Sequence, residues 1–160
     1  MLNLPPYARV WVFQANRFLK PEEVTYVQDH MRDFIGQWAS HGNELYGDFA
    51  VEYNLFLVVG ADESKSPTSG CSIDSLNRKI REIGDVLGID FFDRLKIAYE
   101  DASTKIHIAS MGEFKDLMAQ DRITGQTTVY NNLVENVGEL DEKWRTIVKH
   151  SWHKNLLQIL

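Results

Sequence analysis

Residues 8–14 alternate, with Arg9, Trp11 and Phe13 on one face and Val10, Val12 and Gln14 on the other. Their β-branched and aromatic content predicts a strand at least half buried on both sides. Pro21 then stands where a first helical position tolerates a missing N–H, and Glu22 and Glu23 follow in the turn where the dipole favours negative charge. Val24, Val27, Met31, Phe34, Ile35 and Trp38 recur three and four residues apart, which makes this the best-defined helix of the chain. Ser40-His41-Gly42-Asn43 ends it, because Gly and Asn accept the left-handed backbone that closes many helices.

From Asp48 to Val59 the odd positions are all apolar, which predicts one long strand, or two sharing a turn near Tyr53-Asn54, buried on both faces towards the C-terminal half. The polar stretch GADESKSPTSGC (60–71) leads into a second amphipathic helix marked by Ile73, Leu76, Ile80, Ile83 and Leu87, loosened at Gly84 and ended at Gly88. Leu95–Glu100 and Lys105–Ala109 predict a hairpin around residues 101–104. Ser110-Met111-Gly112-Glu113 is a capping-box pattern for a short helix carrying Phe114, Leu117 and Met118. Thr127–Tyr130 predicts a further strand. Leu140, Trp144, Ile147 and Val148 are spaced as a C-terminal helix, with a break near Ser151-Trp152-His153.

No internal repeat or interdomain linker interrupts this order, so the expectation is a single α+β domain over residues 1–160. Its sheet is expected to be mixed or antiparallel, with helices packed mainly on one face. A ferredoxin-like split βαβ core and a three-layer α/β sheet with ligand at the strand C-termini are the alternatives.

Composition narrows the function classes. The chain has 160 residues, 44% of them hydrophobic, enough for one core without staples. With 17 Lys+Arg against 23 Asp+Glu, the formal charge of −6 makes nucleic acid a poor partner. The densest basic stretch, Lys143–Lys154, reads as a solvated helix. The longest apolar run, Leu55–Ala61, falls far short of the ~20 residues of a spanning helix, and the N-terminus lacks the pattern of a secretory signal, so the cytoplasm is the expected location. Cys71 is the only cysteine, which excludes an intramolecular disulfide and cysteine-rich zinc sites.

That thiol sits in the segment with the most chemistry. Ser69, Gly70, Cys71, Ser72 and Asp74 place hydroxyls, a glycine and a thiol at a predicted helix start, after a loop about twice the usual length. Unpaired N–H groups and the positive dipole end gather there, which favours an anion or a thiolate. The structural alternative has Ser72 capping the helix, Asp74 answering the dipole and Cys71 as a small buried hydrophobe. A nucleophilic cysteine needs a base, and among His30, His41, His107, His150 and His153 the Gly-flanked His41 is the candidate. His107, between Ile106 and Ile108, is expected at solvent or on a half-buried sheet face. His150 and His153 are spaced i, i+3 but lack a third ligand, and the acidic pairs lack EF-hand spacing, so neither metal nor cofactor is expected.

Ser69-Gly70-Cys71 followed by Leu76 resembles the SGCGKSTL core of the ABC-transporter ATPase P-loop. In the pattern GxxxxGK[ST] the lysine falls on Ile73 and the magnesium-holding hydroxyl on Asp74, so the transferring phosphate would meet no cation. No LSGGQ-like signature occurs. Through Trp38…His41-Gly42, Ser69–Asp74 and Ser151-Trp152-His153, the chain is similar to a family of uncharacterised bacterial proteins designated ABC transporter ATPase, which implies no working P-loop and no established activity. The expected function is a non-catalytic cytoplasmic protein that binds a small anionic ligand or a protein partner through residues 60–72 and the following helix N-terminus. A thiol-dependent enzyme using Cys71, with His41 or a carboxylate as base, is the alternative.

Overall fold

The computed structural model describes residues 1–40 and 42–157, so the candidate base His41 lies outside the described residues. Strand β1 (Arg9–Gln14) leads to helix α1 (Pro21–Gln37). Glu23 closes the first turn of α1 by accepting the Lys20 N–H at 2.9 Å, and it holds the Arg17 guanidinium through two contacts of 2.8 Å. Arg17 also donates to the Leu87 carbonyl, which ties the start of α1 to the far end of the next long helix. The short strands β2 (Ala39–Ser40) and β3 (Asn43–Glu44) pair with one another beyond α1.

β4 (Tyr46–Glu52) and β5 (Phe56–Asp62) form a hairpin whose turn residues Tyr53 and Asn54 both have positive φ, 55° and 53°. The long alternating run is therefore two strands, because two successive left-handed residues reverse the chain in the sense that a twisted ribbon favours. β5 is central in a three-stranded antiparallel sheet of order β1-β5-β4. Its two-sided burial explains its continuous apolar sequence.

Helix α2 (Gly70–Leu87) follows, ended by Gly88 at φ 67°. Next come β6 (Lys96–Glu100), β7 (Ile106–Ser110), α3 (Met111–Ala119), β8 (Thr128–Tyr130), α4 (Val137–Lys143), β9 (Arg145–Ile147) and α5 (Lys154–Leu157). The second sheet is antiparallel in the order β7-β6-β8-β9. The architecture is α+β. Every strand pairing among the described residues is antiparallel, so the parallel three-layer alternative does not describe it. The first sheet does hold a split βαβ unit, since β1 and β4 run parallel on either side of β5 and are connected through α1, but after α2 the chain enters the second sheet instead of adding a fourth strand to the first.

Alternation decides which layers meet. On the first sheet, Trp11 and Gly47 lie on the face covered by α1: Trp38 stacks edge-on to Trp11 at 5.9 Å, and a side chain at Gly47 would come within 3.1 Å of Trp38. The opposite face carries Val10, Val12, Gln14, Phe56 and Val58. It meets Tyr130 and Trp144, whose rings lie 5.0 and 4.9 Å from Phe56. On the second sheet, Ala98 and Tyr130 join this central core, whereas Ile97 and Val129 point the other way and pack with Phe114 and Met118 of α3.

Two expectations at the C-terminus are corrected. The helix predicted through Leu140 and Val148 stops at Lys143, and Arg145–Ile147 pairs with β8 instead. Arg145 reaches Glu100 on β6 through Nε at 2.7 Å and Nη2 at 2.8 Å, and that carboxylate also accepts from the Tyr130 hydroxyl at 2.7 Å. The basic stretch 143–154 is therefore not one solvated helix face, since a buried acid draws its arginine into the second sheet.

Candidate functional site

The loop before α2 satisfies its own polar groups. Asp62 accepts from the Ser64 N–H at 2.9 Å, which holds this carboxyl below its usual range, and Glu63 accepts from the Thr68 N–H at 3.3 Å. Ser69 is the N-cap, and it exchanges bonds with Ser72: Ser69 Oγ accepts the Ser72 N–H at 3.1 Å, and Ser72 Oγ accepts the Ser69 N–H at 2.7 Å. The capping residue is thus Ser69 and not Ser72, which lies buried three positions into the box. The Ser72 carbonyl accepts from Trp38 Nε1 at 2.9 Å, locking the helix start onto the end of α1. Gly70 and Asp74 are exposed. Cys71 is also exposed, in place of the buried hydrophobe of the structural reading, because the second helical position faces away from the sheet. Its thiol makes no hydrogen bond among the described residues.

A larger feature opens beside this helix. A cleft of about 720 Å³ runs along the edge strand β1, between the stripe Ile73, Asn77 and Arg81 of α2 and residues Lys96, Ile97 and Ala98 of β6. This volume falls within the range of small-molecule sites. Its walls are largely apolar and include Trp11, Phe13, Phe92, Met111 and Trp152. Arg81, Arg94 and Lys96 line it against the single carboxylate of Asp93, an excess of positive charge in a chain of net −6. The Arg81 guanidinium sits 4.3 Å over the Phe92 ring, which fixes its plane. None of Ser69, Gly70, Cys71, Ser72 and Asp74 lines this cleft; their neighbour Ile73 does.

A polar relay crosses the cleft floor. Trp144 Nε1 donates to Asn132 Oδ1 at 2.9 Å, Asn132 Nδ2 donates to Gln14 Oε1 at 2.9 Å, and Gln14 Nε2 donates to the Lys96 carbonyl at 3.1 Å. His153, which also lines the cleft, is only 1% exposed, and burial pushes its imidazole down to about 4. Its ring stacks on Trp152 at 4.0 Å, and its Nδ1 lies 2.5 Å from Ser151 Oγ. His150 is exposed, so the two histidines do not share a helix face as a metal pair. Among the described residues no group of three or more His, Cys, Asp or Glu converges as a metal site would require.

A second, more open hollow of about 720 Å³ is lined by Tyr99, Asp101, His107, Arg122, Thr124 and Thr128, among others. His107 is half-buried on its sheet face, 2.7 Å from Asp101. The Asp101 carboxylate also accepts the Ser103 and Lys105 N–H groups, and Thr124 and Thr127 bond to one another's turn. The polar groups of the hollow are therefore largely engaged in shaping the β6–β7 turn and the segment before β8.

The cleft residues escape a reading by motif, because they come from α2, β1, β6 and the C-terminal segment. One signal was present: Ile73, Asn77 and Arg81 recur every four residues beside the buried stripe of α2, which marks a half-exposed face. No family model, curated protein or solved structure matches this chain.

Proposed function

We propose that this protein binds, without transforming it, a small molecule with an apolar body and an anionic end, seated in the cleft along β1 and α2. The ligand class is the small anion expected from the sequence, and its seat moves from residues 60–72 to the cleft beside the same helix. The observation that carries the reading is the cation excess around an apolar cavity: Arg81, Arg94 and Lys96 against Asp93, in an acidic chain. Apolar walls supply affinity by area, and a few fixed charges supply orientation. The cytoplasmic setting belongs to the same proposal and rests on the lone, unpaired thiol.

The probe of choice is 8-anilinonaphthalene-1-sulfonate, an apolar ring system with a fixed anion. Its fluorescence is expected to saturate at one site on the folded protein and to be displaced by 4-phenylbutanoate but not by the neutral 4-phenylbutanol. The double variant Arg81→Gln/Lys96→Gln is expected to weaken binding by at least about tenfold, the scale of a lost charged hydrogen bond, whereas Cys71→Ser leaves it unchanged. Equal binding by the double variant and the parent protein would remove the basis of the reading.

A further inference from the structure

His153 is a titratable side chain with no role in the capping, the relay or the ion pairs of this fold. Its burial is nearly complete, at 1% exposure, yet it lines the cleft. Ser151 Oγ accepts the His153 backbone N–H at 3.2 Å and lies 2.5 Å from His153 Nδ1. Ser151 Oγ has one proton and two lone pairs, one of them taken by the backbone N–H; no other acceptor for that proton is found among the described residues, so the pairing that satisfies both groups has the hydroxyl donating to Nδ1. The neutral imidazole then bears its own proton on Nε2. Among the described residues Nε2 makes no hydrogen bond, although the ring is held between Trp152 at 4.0 Å and Phe114 at 6.0 Å. Among the described residues Ser40 Oγ is the one buried side-chain polar atom without a partner, so Nε2 is not an orphaned donor in the free protein; it becomes one when an apolar group covers it, and a ligand acceptor avoids that cost.

We propose that His153 Nε2–H is the specificity-determining donor of the cleft, and that the ligand is an amphipathic acid bearing an uncharged acceptor, such as a carbonyl, on its apolar portion. This rests on the cleft being the ligand site and adds the chemistry recognised inside it. The anionic group belongs with Arg81 and Lys96. A neutral imidazole between aromatic rings offers one directed donor and no charge, so it selects a carbonyl over a hydrocarbon of the same shape. Rejection of the hydrocarbon follows because the donor would remain unpaired beneath it.

The test uses two near-isosteric probes, the 4-acetyl and 4-isopropenyl derivatives of 4-phenylbutanoate, which present a carbonyl oxygen or a methylene at the same place. Displacement of 8-anilinonaphthalene-1-sulfonate gives their affinities. The parent protein is expected to prefer the acetyl probe by roughly three- to tenfold, the scale of one net hydrogen bond. His153→Phe is expected to abolish the preference while keeping isopropenyl affinity within about twofold, and His153→Gln, which restores a donor, recovers part of it. Independently of any ligand, long-range ¹H–¹⁵N spectra of the imidazole are expected to show Nδ1 unprotonated and Nε2 protonated, and Ser151→Ala shifts that balance. Equal affinities for the two probes, with binding still dependent on Arg81 and Lys96, overturn the role of His153 and leave the cleft reading standing. So does a proton found on Nδ1. Absence of binding by either probe and by the dye overturns both.

Discussion

Glu23, Glu100 and His153 all weaken the fold as pH falls, but in different windows. Glu23 is held near about 2, first by the Arg17 guanidinium and then by the Lys20 N–H. Its folded value lies below the ordinary 4.5, so its contribution is present above that range and is lost as pH falls towards 2. Glu100 is lowered in the same sense, chiefly by Arg145, while burial raises the Tyr130 phenol beside it. His153 acts in a separate window. Its folded value of about 4 lies below the ordinary 6.5, so the unfolded chain takes up a proton that the folded chain refuses. Stability is therefore full above pH 6.5 and falls progressively down to about pH 4. The loss expected from this residue by pH 5 is about 2 kcal/mol. Urea unfolding of the parent protein and His153→Gln at pH 7 and pH 5 checks this. The parent should lose stability between the two conditions and the variant should lose about 2 kcal/mol less; identical losses would mean that the ring is not held neutral by burial.

At the scale of elements, helices with a local start signal were legible. Pro21 with Glu22 and Glu23, and Ser110 with Glu113, place α1 and α3 where the sequence predicts them. For α2 the boundary depends on which serine caps, and the reciprocal Ser69–Ser72 bonds decide it. Replacing Ser69 by Ala removes the acceptor for the Ser72 N–H and is expected to lower stability by about 1 kcal/mol, read as a lower urea midpoint at unchanged slope. Unchanged stability would show that this turn is not held by its cap. The C-terminal region was misread for a physical reason. β9 has three residues, Arg145–Ile147, too few for a period of two to separate from a period of 3.6, and it is held by partners far away in sequence. Arg145 meets Glu100, 45 residues earlier, and no local spacing announces that pair.

At the scale of the whole molecule, the two sheets are joined by their shared core and by the Trp144–Asn132–Gln14–Lys96 relay. Gln14 is 7% exposed, and its amide oxygen and nitrogen are both used. Gln14→Ala should leave the Lys96 carbonyl and the Asn132 amide each short of a partner and lower stability by about 1–3 kcal/mol. Gln14→Glu, which keeps the acceptor for Asn132 but loses the donor to Lys96, separates the two bonds in the same urea measurement. Neither variant should alter stability if the sheets are held by apolar contacts alone. By itself the sequence determined the α+β class, the starts of α1 and α3, the β6–β7 reversal and the two-sided burial of β1 and β5, because alternation, caps and turn residues act within a few positions of one another. Only the tertiary structure decided which sheet faces meet, that Arg81, Lys96 and His153 line one cleft, and that Cys71 lies outside it. Periodicity assigns a residue to a face, but what that face meets depends on contacts such as Gln14 with Asn132, 118 residues apart, whose energy exists only once the chain has closed on itself.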